Sequence, residues 1–105
     1  MPAIARADGN DTVFSFTGVG KNCARPVNVV TGSSTVSTIF VGGSPIVVQG
    51  DMVGAHAAGG CSPDLSTLST YSGTVFAGGK GVGRIGDEYS SDNLITSGFS
   101  TVFLG

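Results

Sequence analysis

Ser-Thr-Ile-Phe-Val-Gly at 37–42 is the stretch that decides the fold, because the chain repeats its pattern. The pattern is [Ser/Gly]-Thr-[Ile/Val]-Phe-x-Gly. It recurs as Gly-Thr-Val-Phe-Ala-Gly at 73–78 and as Ser-Thr-Val-Phe-Leu-Gly at 100–105. An internal repeat of this kind indicates one supersecondary unit that is used several times.

The residues that follow the first two copies are also related to each other. They read Gly-Ser-Pro-Ile-Val-Val-Gln-Gly-Asp at 43–51 and Gly-Lys-Gly-Val-Gly-Arg-Ile-Gly-Asp at 79–87. The third copy reaches the end of the sequence, and Pro-Ala-Ile-Ala-Arg-Ala-Asp-Gly at 2–9 matches its second half. We therefore expect three related units in pseudo-threefold arrangement, the third closed by the two termini.

Each unit has the pattern of a β-hairpin. An apolar run rich in β-branched and aromatic residues meets Gly42-Gly43 or Gly78-Gly79, and a second apolar run follows. A glycine pair between two such runs predicts a tight turn with positive φ angles. Asp51 and Asp87 end the second runs, where their side chains are expected to cap backbone N–H groups of a turn. At the N-terminus the final pair is inverted, as Asp8-Gly9.

Composition favours one all-β domain over 1–105. Glycine accounts for 18 of the 105 residues, far above the usual ~7%, and interior glycines disfavour long helices. No stretch sustains an apolar period of 3.6 residues. Phe40, Phe76 and Phe103 occupy equivalent positions, so we expect them to meet near one axis or to fill three equivalent wedges.

Charge excludes some functions and suggests a partner. Five Lys and Arg against seven Asp and Glu leave no basic stripe, which argues against nucleic-acid binding. No apolar run reaches the ~18 residues of a membrane-spanning helix. We expect no signal peptide, because the apolar start at Met1–Ala5 is short and is followed at once by the charge of Arg6. Charged residues make up only 11% of the chain. We interpret this as a face that docks on a partner, rather than a surface kept soluble by neutral polar groups.

The repeats resemble those of the PAAR-repeat family over nearly the whole chain. The matching residues are Met-Pro-Ala-Ile-Ala-Arg at 1–6, the three Phe-containing strands and Arg-Ile-Gly-Asp at 84–87. The family's second half-repeat reads roughly Gly-x-Pro-Ala-Ala-Arg-Val-Gly-Asp. This chain departs from it, since Val48 replaces the arginine of one unit and the unit with Arg84 lacks the proline.

The resemblance implies a fold, a partner and a location. The fold would be a small β-cone of three hairpin-like repeats, whose base sits on a trimeric β-helical spike, one copy per trimer. The pointed end would lead the spike through a target membrane, in a phage tail baseplate or a type VI secretion system. The protein would be made in the cytoplasm without a signal peptide and end in the virion or be exported on the spike. The residues expected to dock on the spike are Phe40, Phe76, Phe103 and Leu104.

Cys23, His56 and Cys61 are the only soft or borderline metal donors, and they lie between the repeats. The resemblance implies a metal near the apex, zinc or iron, typically held by three His and one Cys. This chain supplies an incomplete set, although two Cys and one His with an open position suit zinc. The alternatives are a disulfide, small buried side chains, or a metal-free tip packed by Val13, Phe14 and Phe16.

Catalytic chemistry has little support in this sequence. A Ser-His-Asp set could be assembled from one of the many serines with His56 and Asp51, but the sequence contains no Gly-x-Ser-x-Gly elbow. We expect a structural tip and no enzyme. The alternative from another class is a non-enzymatic adaptor or a ligand-binding β-module, for example one that binds carbohydrate through Ser/Thr-rich loops.

Overall fold

The computed structural model describes residues 2–15, 27–36, 38–54, 66–90 and 93–104. Within these ranges all regular structure is β, which confirms the predicted fold class, and no helix there is long and apolar enough to cross a bilayer. The strands are β1 Thr12–Ser15, β2 Val27–Val30, β3 Phe40–Val41, β4 Ser44–Pro45, β5 Phe76–Ala77, β6 Lys80–Gly81, β7 Glu88–Tyr89 and β8 Asn93–Ile95.

Two of the predicted hairpins form at the glycine pairs. β3 pairs antiparallel with β4 and β5 with β6. Both glycines of each turn have positive φ, 57° and 81° at Gly42-Gly43 and 56° and 76° at Gly78-Gly79. Two consecutive positive φ angles define the type I′ turn that suits the twist of a hairpin. The glycines are therefore required by the turns themselves.

The two ends of the chain form a third pair with the same register. The amide of Ile4 donates to the carbonyl of Val102 at 2.9 Å, and the amide of Leu104 donates to that of Pro2 at 2.8 Å. Phe103 lies opposite Ala3, as Phe40 lies opposite Pro45 and Phe76 opposite Gly81. We call these three pairs the hairpin layer, comprising 39–46, 75–82 and 102–104 with 2–4.

The second strands of the hairpin layer continue into a closed cycle of hydrogen bonds. Ala5 donates to Gly83 at 3.0 Å, Gly83 to Val47 at 2.8 Å, and Val47 back to Ala5 at 3.2 Å. All three pairings are antiparallel. Three strands cannot alternate direction around an ordinary barrel, so each must lie like one side of a triangle. We call the segments 3–7, 45–49 and 81–85 the triangle.

Beyond the triangle, six segments pair in a second cycle. The hydrogen-bonded order β2-β1-β8-β7 is extended by bridges from Tyr89 to Leu68, from Thr67 to Met52 and from Val53 to Thr31. Because Thr31 follows β2 directly, the pairings return to their start. We call this cycle the collar. With six segments, every neighbouring pair can be antiparallel without interruption.

The core is divided by the triangle into two clusters. The collar cluster contains Ala5, Ala7, Val13, Val47, Val53, Leu68, Tyr89 and Ile95. The hairpin cluster contains Ile4, Ile46, Val48, Ala77 and Val82, with Val36, Val41, Val75, Phe99, Val102 and Leu104 packed against it. Successive residues of the triangle alternate between the two clusters, because side chains of a strand alternate between its faces.

Candidate docking surface

Three phenylalanines form the most exposed aromatic surface of the described residues. Phe40 and Phe76 are each 58% exposed and Phe103 is 51% exposed. About half of each residue is exposed, so the phenylalanines do not fill wedges inside the protein, and the expectation that they meet near one axis stays a prediction. Large exposed apolar side chains that recur at equivalent positions are typical of an interaction surface.

Strand alternation explains why the phenylalanines are exposed. Their neighbours along the chain, including Val41, Ala77 and Leu104, face the hairpin cluster. Each phenylalanine is therefore on the opposite, outer face of its strand. Leu104 is only partly buried and packs against the hairpin cluster, so the structure places it on the inner face, apart from the three phenylalanines.

Buried carboxylates hold the turn at the end of each triangle segment. Asp87 Oδ2 accepts from the amide of Arg84 at 2.8 Å, and Asp51 Oδ2 accepts from the amide of Val48 at 2.8 Å. The capping predicted for Asp51 and Asp87 is thus confirmed. Both aspartates are buried, with exposed fractions of 1% for Asp51 and 4% for Asp87.

Asp11 performs the same role at the N-terminus. Its Oδ2 accepts from the amide of Arg6 at 2.6 Å, five residues back instead of three. The equivalence of Asp8-Gly9 with the Gly-Asp pairs is therefore wrong. Asp8 has a φ of 58° and Gly9 a φ of 77°. Because the turn that they form is longer, the carboxylate that accepts from Arg6 comes later in the sequence, at Asp11.

A hydroxyl group completes each carboxylate site, and sequence reasoning missed all three. Thr35 and Ser97 each donate at 2.8 Å, to Asp51 Oδ1 and Asp11 Oδ1 respectively. Thr70 donates to Asp87 Oδ1 at 3.0 Å. These hydroxyls precede the repeated phenylalanines by five or six residues. That spacing was available in the sequence, as an extension of the repeat towards its N-terminal side.

Two of the three carboxylates pair with an arginine of the described segments. Arg6 contacts Asp11 and Arg84 contacts Asp87 through two side-chain hydrogen bonds each, with ion-pair distances of 2.9 Å. These hydrogen bonds raise the pKa of both guanidinium groups, aided by the carboxylate charge and opposed by desolvation. Arg6 also lies 5.5 Å from the ring centre of Phe99, within cation–π range.

Among the described residues no arginine pairs with the third carboxylate, because Val48 occupies the position equivalent to Arg84 and is fully buried in the hairpin cluster. Asp51 is instead bonded by both the amide and the hydroxyl of Thr35, at 2.9 and 2.8 Å. Lys80 from another repeat donates to that same hydroxyl at 3.1 Å. A cation from a neighbouring repeat thus approaches Asp51 through Thr35.

The predicted metal ligands Cys23, His56 and Cys61 lie outside the described residues, as does Phe16. Val13 is in the collar cluster. Among the described residues no three His, Cys, Asp or Glu side chains gather at one point. The zinc or iron site stays a prediction, which elemental analysis of the wild type beside His56→Ala and Cys61→Ser would test.

These features define a small all-β domain whose described residues include three exposed phenylalanines at equivalent strand positions. No protein-family model matches the chain. A comparison with curated proteins likewise finds no relative.

Proposed function

We propose that this chain is a non-enzymatic tip that caps a trimeric β-helical spike, in a phage baseplate or a type VI secretion apparatus. The proposal includes the three-repeat β-cone, with the hairpin layer as its base and one copy of the chain for each spike trimer. The narrow end would lead the spike through a target membrane. The location would be the virion or an exported spike.

The observation that carries this proposal is the equivalence of the three hairpin pairs. Each places a half-exposed phenylalanine at the same register position, opposite Pro45, Gly81 or Ala3. A single chain that binds three identical subunits needs three similar contact points, which internal repetition supplies. The cyclic hydrogen bonds of the triangle support a threefold-like base for the same reason.

The charge distribution supports a docking role as well. The segments 39–46, 75–82 and 102–104 of the hairpin layer contain one charged residue, Lys80. Depletion of charge and enrichment of aromatic residues distinguish the centre of an interface from other protein surface. Half-exposed phenylalanines in segments that contain a single charged residue fit a surface that is covered in an assembly.

Stoichiometry tests the proposal directly. Native mass spectrometry of this chain mixed with the purified β-helical end of a candidate spike trimer should give one copy per three spike chains. A 3:3 complex, or no complex with the spike of the same machine, would overturn it. Binding to a monomeric protein or to a glycan array in its place would favour the adaptor or ligand-binding alternative.

Two variants localise the contact. Phe76→Ser should weaken spike binding, whereas Val30→Ser should not, because Val30 is a 44% exposed apolar residue of the collar rather than of the hairpin layer. Deleting residues 99–105 removes the strand that pairs with 2–4. That deletion should abolish folding or docking, and a shortened chain that binds as well as the full one would argue against closure of the base by the termini.

A further inference from the structure

In the part of the chain that the structure describes, one edge of every hairpin pair is hydrogen-bonded to a neighbouring segment and the other edge is not. The joined edge belongs to the second strand. The carbonyl groups of Ala3, Pro45 and Gly81 accept from Ile85, Ala7 and Gln49 at 2.8–2.9 Å, within the triangle. The first strands, which carry the phenylalanines, therefore form the outer edge of the hairpin layer.

The backbone groups of the phenylalanines point away from their own hairpins. Phe103 lies between the two hydrogen bonds from Ile4 to Val102 and from Leu104 to Pro2. It is thus in a non-hydrogen-bonded pair, in which the amide and carbonyl face outwards. Phe76 is in the same register, next to the bond from Val82 to Val75 at 3.1 Å.

The pair of Phe40 shows the same arrangement by a different route. Its opposite residue is Pro45, which has no N–H to donate. Proline is tolerated at that position because the hairpin needs no donor there. Each repeat therefore presents one phenylalanine whose N–H and C=O face outwards, and within the described residues no strand pairs with these edges.

Natural edge strands are usually protected against pairing with another chain by charges, prolines or bulges. The edge strands β3, β5 and 102–104 contain neither charge nor proline. Four partly buried side chains of these strands and of the residue before β5 pack against the hairpin cluster, namely Val41, Val75, Val102 and Leu104. The unpaired edges can accept added strands, and the partly buried side chains offer an apolar surface beside them.

We propose that the spike covers this surface by strand addition, with one strand from each of its three chains pairing to the N–H and C=O of Phe40, Phe76 and Phe103. The inference rests on the proposed function. The phenyl rings lie on the outer face of the continued sheet, so each would stack on an outward-facing apolar side chain of the added strand. The partner is thus recognised chiefly through its backbone, and its terminal strands carry apolar residues on both faces.

A matched pair of variants separates the backbone contact from the ring. Phe76→Val and Phe76→Pro both remove the phenyl group, but only the proline removes the outward N–H. Neither changes a hydrogen bond of the hairpin itself, because position 76 is in a non-hydrogen-bonded pair. Affinity for the purified β-helical end of the spike would be measured by titration calorimetry, with the thermal unfolding midpoint as a check of folding.

We expect Phe76→Pro to bind about tenfold more weakly than Phe76→Val, the size of one hydrogen bond lost at a desolvated interface. Equal affinity of the two folded variants would overturn strand addition while leaving the one-to-three complex intact. Failure of the wild type to bind any spike would instead overturn the proposed function.

Amide exchange gives a second measurement that needs no variant. Exchange of the Phe40, Phe76 and Phe103 amides should slow at least tenfold in the complex, since a hydrogen-bonded amide is protected. Unchanged exchange at all three positions in a formed complex would overturn the inference. So would a concentration-dependent dimer of the free chain that protects the same amides and excludes the spike, because a second copy would then be the occupant.

Discussion

The turns 84–87 and 48–51 have the same backbone and different side chains. In both, an aspartate accepts from the amide three residues back at 2.8 Å and from a hydroxyl of the preceding segment. Asp87 also forms an ion pair with Arg84. At the position of that arginine the other turn has the buried Val48, and Lys80 donates to the Thr35 hydroxyl that is bonded to Asp51. The comparison indicates that the carboxylate shapes the turn and that the arginine is an addition to it.

The largest difference is expected from removing the carboxylates. Asp51→Ala leaves the amides of Val48 and Thr35 without their acceptor, and we expect a loss of about 3 kcal/mol because buried unsatisfied donors cost 1–3 kcal/mol each. Asp87→Ala should cost about 2 kcal/mol, since the Arg84 side chain is 21% exposed and can turn to water. Urea unfolding of both variants measures the difference, and a larger loss for Asp87→Ala would reverse our ranking of the two turns.

Truncating the residue three positions before each aspartate sharpens the comparison. Val48→Ala should cost about 2 kcal/mol through the cavity that it leaves in the hairpin cluster. Arg84→Ala should cost about 1 kcal/mol, because a partly exposed ion pair contributes little once solvent competes with it. The arginine effect should shrink in 1 M salt and the valine effect should not. Equal salt dependence in the two variants would contradict this assignment.

Lys80→Gln tests whether a cation from the neighbouring repeat supports Asp51. Within the described residues the amine contacts the hydroxyl of Thr35 alone, at 3.1 Å, so we expect a loss of about 0.5 kcal/mol. The double-mutant cycle with Thr35→Val isolates that contact. A coupling free energy of zero would show that Lys80 acts independently of Thr35 and Asp51.

Tyr89 provides the smallest expected effect at neutral pH. Its side chain is buried and its hydroxyl has no hydrogen-bond partner within the described residues. Tyr89→Phe should therefore be neutral or slightly stabilising at pH 7. Calorimetric melting of the two proteins measures this, and a loss of more than about 1 kcal/mol would show that the hydroxyl has a stabilising partner.

Alkaline pH should separate the same two proteins further. Burial, and secondarily the charge of Asp51, raise the pKa of Tyr89. The folded state therefore keeps the proton that the unfolded state loses above pH ~10. The stability of the wild type is retained below that pH and falls as pH rises above it. The free energy of unfolding of Tyr89→Phe should fall less steeply with pH. If the two proteins lose stability with the same slope above pH ~10, a group other than Tyr89 causes the loss.

Local features of this protein were predictable because they depend on neighbouring residues. The all-β class, the two glycine-pair turns and the capping by Asp51 and Asp87 follow from φ preferences and from strand periodicity over a few positions. The docking role of the phenylalanines stays a prediction. The repeat itself identified their equivalence, but not the direction in which their side chains point.

Tertiary structure decided the features that join distant parts of the chain. The triangle links Ala5, Val47 and Gly83, and no local preference specifies that cycle. Asp11 replaced Asp8 because the longer N-terminal turn changes which carboxylate reaches the amide of Arg6. The approach of Lys80 to Thr35, across 45 residues, depends on the packing of two repeats. Sequence by itself determined the repeated unit, whereas contacts between residues far apart in the sequence determined which segments pair with one another within the described part of the chain.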